Sequence, residues 1–165
     1  MALNTVAKIG GDGALLYAGP TTITSMTTSV VTATSGWTTF AEVNTINVEP
    51  TQAEANVTSL NSGAFEEYVP GHVSCVVSCN ANLVEHGTQF DTRDIIDAWQ
   101  ARTPRCYKVR IPVNSTNTSN GYLAVGFFGF PTGASLSITD GDEAMGQDFN
   151  IRVSDSILVE ALADA

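Results

Sequence analysis

Trp37 to Leu83, WTTFAEVNTINVEPTQAEANVTSLNSGAFEEYVPGHVSCVVSCNANL, is the stretch that decides the fold. Its last part is the clearest strand in the chain. Val73, Cys75, Val77, Cys79, Ala81 and Leu83 alternate with His72, Ser74, Val76, Ser78, Asn80 and Asn82, a period of two that places one set on each face of a sheet. Upstream, Phe40 to Val48 is strand-like and Glu49-Pro50 breaks it, because proline cannot donate to a ladder. A second extended segment follows from Ala53 to Leu60, and Val69-Pro70-Gly71 forms a corner before the alternating strand.

The flanking sequence extends the same pattern. Thr5 to Gly10 and Ala14 to Tyr17 read as short strands joined as a hairpin by Gly10-Gly-Asp-Gly13. Pro20 to Thr39, rich in Thr and Ser with Val30-Val31 at its centre, reads as a long neutral loop or two-stranded excursion, uncommon in a compact domain without a function. Thr88 to Arg102 is the one convincing helix, with Phe90, Ile95, Ile96 and Trp99 on an apolar face, Asp91 and Asp94 at its positive end and Arg102 and Arg105 at or beyond its negative end. Strands resume at Cys106 to Val113 and Tyr122 to Phe130, around the turn Asn114 to Gly121. Ser135 to Thr139, the acidic loop Asp140 to Gln147, a strand at Phe149 to Val153 and the apolar Ile157-Leu-Val159 complete the chain. Many short strands and one helix predict a mainly β (α+β) fold, a β-sandwich or partly closed barrel with one flanking helix, in a single domain over 1–165. Gly126 and Gly129 predict a bulge or a close backbone approach.

Composition narrows the function. Hydrophobic residues are 43% of the 165 and charged residues 15%, which argues against disorder and for a surface of Thr, Ser, Asn and Gly. The formal charge is −10, and Arg93, Arg102, Arg105, Lys108 and Arg110 hold five of the seven basic side chains in one window. The footprint of a nucleic-acid binder is therefore missing, and such a surface repels phosphate over roughly 8–10 Å at ordinary salt. No apolar run approaches the roughly 20 residues of a spanning helix, and the first residues lack a signal core. Three cysteines in a chain with these features are expected as reduced thiols.

His72, Cys75, Cys79 and His86 have the chemistry of zinc ligands, but Cys75 and Cys79 on one strand lie roughly 13 Å apart, too far for one tetrahedral ion or a disulfide. Buried thiols are the alternative. Asp140-Gly-Asp-Glu143 with Asp148 is a calcium-like cluster of carboxylates, yet Met145 stands where a calcium loop needs glycine, so a solvated acidic turn is the simpler reading. Neither a nucleophile elbow nor a partnered histidine base emerges, Glu66-Glu67 point to opposite faces of an extended chain, and the glycine turn lacks the end of a phosphate loop. The sequence predicts no enzyme and no cofactor.

Strand, Pro50 turn, the polar segment Glu54-Ala-Asn-Val-Thr-Ser-Leu60, the Phe65-Glu-Glu-Tyr-Val-Pro-Gly71 corner and the strand ending at Asn80 to Asn82 together resemble the major tail (tail tube) protein of long-tailed bacteriophages, over roughly Leu15 to Phe130. The resemblance implies a structural virion protein whose hexameric rings stack into a hollow tube through which DNA passes without specific binding. It implies self-association, tail terminator, tape measure and baseplate or tail-tip proteins as partners, no membrane, and residence in the host cytoplasm before assembly into the virion tail. Pro20 to Thr39 resembles the loop that reaches the next ring, here through Thr22, Ile23, Ser25, Met26, Val30 and Val31, so deleting Ser25 to Ser35 should block stacking and leave the domain folded. The N-terminal segment and the tail after Ile157 look like arms that order on stacking. Glu42, Glu49 and Glu54 are expected to face the lumen, and Arg105, Lys108 and Arg110 to meet acidic patches of a neighbouring subunit. Pro70-Gly71 departs from the family in lacking a further glycine a few residues on. The competing readings are a β-sandwich carbohydrate-binding module stacking sugars on Trp37, Tyr68 and Tyr122, and another virion part such as a tail terminator, baseplate-hub or decoration protein.

Overall fold

The computed structural model describes residues 8–9, 15–40, 42–58, 66–82, 88–114, 121–137 and 146–163. The elements run β1 (Lys8–Ile9), β2 (Leu15–Ala18), α1 (Thr28–Thr32), β3 (Thr38–Thr39), β4 (Val43–Asn56), β5 (Tyr68–Asn82), α2 (Thr92–Ala101), β6 (Arg105–Asn114), β7 (Gly121–Ser137) and β8 (Gly146–Ala163). The eight strands among the described residues belong to one antiparallel sheet, ordered β3-β2-β6-β7-β8-β5-β4, with β1 also on β6. The mainly β architecture with a helix on its flank is as expected; in detail it is one open sheet with two helices.

That sheet must curl. Its end strands β3 and β4 are joined by residues 40–42, a span of at most about 15 Å, whereas seven strands laid flat would place their ends about 29 Å apart. Phe40, in that short link, sits over the concave face with its ring 4.6 Å from Phe90, 5.5 Å from Phe149 and 6.2 Å from Tyr107. Around it pack Leu16, Val77, Cys79, Val109, Phe127 and Ile151, and α2 closes the cup with Ile95 and Ala98. Asp91 caps α2 by accepting from the amides of Arg93 and Asp94, while Asp94 accepts from the amide of Asp91. Arg102 ends the helix in the left-handed conformation at φ 52°. Ala98 takes the place expected of Trp99, which is 45% exposed.

Several boundaries differ from expectation for identifiable reasons. Pro50 does not break its strand: β4 runs through it because β4 is an edge, where a missing donor costs little. Val69-Pro70-Gly71 is no corner, since β5 runs continuously from Tyr68 and the irregularity is a register shift opposite Gln52 and Glu54. Lys8 and Ile9 pair with Asn114 and Val113, and Leu15 to Ala18 with Arg110 to Tyr107, so β1 and β2 are two pieces of one edge along β6 and not a hairpin. β8 continues past Val153, and the expected arm after Ile157 pairs with β7 from Phe127 back to Gly121. The turns at 10–13 and 115–120, Phe65, Leu83, His86 and the acidic loop 140–145 lie outside the described residues.

Pro20 to Thr39 is irregular over most of its length, as a long loop, but it is folded onto the sheet. It carries a short helix, α1, capped by Thr27, whose hydroxyl accepts from the Val30 amide. The segment lies on the convex face of β6, β7 and β8 as a lid, with Met26 and Val31 buried against Cys106 and Ala124. Gly126 makes this possible, because a Cβ there would stand 2.4 Å from Val31 Cγ2. Gly129 has a different role: its missing Cβ lets the Arg152 carbonyl approach at the bulge between Phe127 and Gly129.

Candidate functional site

The alternation that buries Cys75, Val77, Cys79 and Ala81 turns Ser74, Ser78, Asn80 and Asn82, with Val76 as the one apolar residue between them, to the opposite, convex face. Register aligns Asn80 with Thr45 and Asp148, and Ser78 with Asn47 and Asn150. Beyond the lid, this convex face of β4, β5 and β8 is therefore polar. Its side chains bond to one another: Asn82 donates to Glu42 at 3.1 Å, Asn44 to Asn82 at 2.8 Å and to Asn80 at 3.4 Å, and Asn80 to Asp148 at 2.7 Å. Asn47 donates to Glu49, and Thr51 and Ser74 share a hydrogen bond of 2.8 Å. Glu42, Glu49, Asp148 and Arg152 are its exposed charges, three carboxylates against one guanidinium. Glu42 and Glu49, named from the sequence, thus sit on this face. Glu54 is farther out, past the register shift. The asparagines and Asp148 were missed, although the polar half of the β5 alternation already marked them.

β5 pairs with β8 only from Val76 to Asn82, while its pairing with β4 continues out to Tyr68. Residues 50–56 and 68–75 consequently leave the sheet as a two-stranded ribbon roughly 20–25 Å long. Both strands of the ribbon are exposed over most of that length, including Tyr68, Val69 and Val73, the last 70% exposed, and Val57 just past the end of β4 is exposed too. An isolated hairpin is marginal in water. Exposed apolar side chains on such a ribbon point to a partner.

Within the single chain, the three basic residues expected to meet a neighbouring subunit all have partners of their own, and Lys108 is buried. Lys108 is 3% exposed: its Nζ donates to the carbonyls of Val31 at 3.1 Å and Ala33 at 2.8 Å, at the C-terminal end of α1, and stands 4.3 Å from the centre of the Trp37 ring. Burial, followed by the charge of Arg110, lowers its pKa to about 8. The cation is used inside the chain to hold the lid, so it is withdrawn from any neighbour. Arg105 lies over Phe90 at 4.9 Å and Arg110 over Tyr122 at 3.8 Å, both half-buried. The same contacts occupy Trp37 and Tyr122, two of the three platforms considered for sugars. Of the lid residues, Thr22 and Ser25 are exposed, Ile23 and Val30 half-buried, and Met26 and Val31 buried. Deleting Ser25 to Ser35 would strip the second core and both carbonyl partners of Lys108, so that deletion is no longer expected to leave the domain intact.

The thiols are sequestered. Burial raises Cys79 to about 12, and burial with the Asp155 charge raises Cys106 to about 11. Cys75 and Cys79 both turn inward along β5.

No protein-family model and no curated protein sequence matches the chain. Solved structures do. A chain of the SPP1 tail tube aligns with a TM-score of 0.66 at 16% identity, covering 95% of this chain and 81% of that one. A chain from the tail of an empty gene transfer agent particle, refined with C6 symmetry, aligns at 0.64 and 12% identity over 92% and 98%. A chain of the sheath-tube complex of an extracellular contractile injection system aligns at 0.59 and 12% over 96% and 95%. Such identities speak of architecture alone: this chain has the fold found in the tubes of phage tails and contractile injection systems.

Proposed function

We propose that the chain is a structural subunit of a phage-type tail tube and not an enzyme, that it closes into six-membered rings which stack, and that its polar convex face lines the channel. The tail-tube fold carries this reading. Two features of the chain support it. β4 is a fourteen-residue edge with β5 as its one sheet neighbour among the described residues, and the opposite end offers the β1, β2 and β3 edge. Joining one edge to the other in the next copy is a heterologous contact, which gives a ring when the rotation closes and removes both edges from water. The convex face, with more carboxylates than cations, would repel phosphate, so DNA would pass without being held.

The element best placed to reach another ring is the β4–β5 ribbon, which projects from the sheet, in place of the 20–39 segment, which is folded onto it. Terminator, tape measure and baseplate or tail-tip proteins are the partners of this reading, and the virion tail its location. Negative-stain electron microscopy of the purified, concentrated chain at several salt levels tests it. Hollow tubes or six-fold rings are expected. A chain that stays monomeric at high concentration, even when seeded with assembled tails, refutes the proposal.

A further inference from the structure

The ribbon has a counterpart elsewhere on the same chain. The end of α2 and the β7 residues beside it form an open groove of about 670 Å³ lined by Trp99, Arg102, Pro104, Phe130 and Pro131. Most of that lining is apolar, Gln100 and Thr132 add polar side chains, and Arg102 is the one charged side chain among the described residues that line it. The ribbon is also partly apolar but carries the opposite charge. Val57, Tyr68 and Val69 are exposed, and Glu54, Glu66 and Glu67 stand among them with no Lys or Arg in 50–58 or 66–74. Tyr68 donates its hydroxyl to Glu66, which fixes the aromatic ring beside a carboxylate.

Both surfaces are open in the single chain, so a ribbon does not cover the groove of its own chain. With Lys108 buried and Arg105 and Arg110 half-buried over rings, the described residues leave Arg93, Arg102 and Arg152 as the exposed guanidiniums. An acidic, apolar ribbon needs a cation beside apolar surface, and Arg102 beside Trp99 provides it. Trp, Tyr and Arg are also the side chains that most often anchor interfaces.

We propose that the ribbon of one copy docks in the Trp99 groove of a second copy, with Tyr68 and Val69 against Trp99 and Phe130, and Glu66 or Glu67 paired with Arg102. The contact is heterologous, so it propagates from copy to copy. It rests on the self-assembly proposed above and adds the residues that recognise one another.

A photo-crosslinking phenylalanine analogue placed at position 99 of the full chain tests it, using a mixture of isotopically heavy and light protein to mark links between copies. Inter-copy links to residues 54–58 or 66–73 are expected. Arg102→Glu alone, and Glu66→Arg with Glu67→Arg, should each raise the concentration required for assembly at least about tenfold, and combining them should recover most of that loss. Links that fall elsewhere, or charge reversals that leave assembly unchanged while rings and tubes still form, overturn the docking and leave the tube reading standing. Absence of both links and assembly overturns the two together.

Discussion

Whether the 20–39 segment is a lid or a free loop can be decided by a double-mutant cycle at Gly126 and Val31. A methyl at position 126 would lie 2.4 Å from Val31 Cγ2 and 3.0 Å from Met26 Sδ. Carbon atoms prefer about 3.5–4.0 Å, so Gly126→Ala must push the lid outward by more than 1 Å at that point, and overpacking of this kind costs about 1–3 kcal/mol. Val31 is fully buried. Val31→Ala removes two methyl groups at roughly 0.8 kcal/mol each before any cavity contribution, or about 2 kcal/mol in all. Independent sites would sum to about 4 kcal/mol. In the double variant the new methyl occupies the space vacated by Cγ2, and the sulfur of Met26 sits on a side chain able to move aside. The expected loss is then only about 1–2 kcal/mol, a coupling of about 2 kcal/mol. Urea denaturation of the unassembled chain, followed by circular dichroism and by Trp37 emission, measures it. Additivity within about 0.5 kcal/mol would refute the packed lid and return the segment to the role of a free loop.

Three further outcomes follow from the geometry. Gly129→Ala should cost more than Gly126→Ala, since its Cβ would meet the Arg152 carbonyl at 2.3 Å and backbone cannot rotate away; equal melting temperatures would contradict this. Lys108 has a folded pKa of about 8 against 10.5 for an unperturbed lysine, so between those values the unfolded chain binds more protons. Wild type should therefore gain stability relative to Lys108→Met as pH rises from 7 to 10 in urea titrations, and a flat difference would mean that the lid carbonyls hold the ammonium at its ordinary affinity. Asp91→Ala removes both acceptor contacts of the α2 cap and should lower stability by about 1 kcal/mol by thermal melting; an unchanged melting temperature would show the cap to be redundant.

Much of the fold was legible because period-two burial is a local signal. The cysteine face of β5 is buried as its alternation predicts, and α2 and its cap fall within the predicted span. What was not legible depended on neighbours. A proline breaks a central strand but not an edge, and position within the sheet is a tertiary fact that Pro50 cannot announce. The 20–39 segment reads as a free loop in the sequence because its apolar residues are few, and its anchors, Lys108 and the gap at Gly126, lie far away in sequence. Lys108, Arg105 and Arg110 form a basic cluster in one dimension, yet strand alternation sends Lys108 and Arg110 to the convex face and Arg105 to the core side. The polar face is half visible in the sequence, since carboxylates mark a charged surface and isolated asparagines do not.

If the convex face lines the channel as proposed, the amide chain from Glu42 through Asn82, Asn44 and Asn80 to Asp148 bears on speed as well as affinity. A lone asparagine offers its donors to whatever comes near. One already bonded to its neighbour must first break that bond, a loss of about 1 kcal/mol for each grip. Along a wall built this way the wells are shallow and closely spaced, so a long polymer would glide past with little friction.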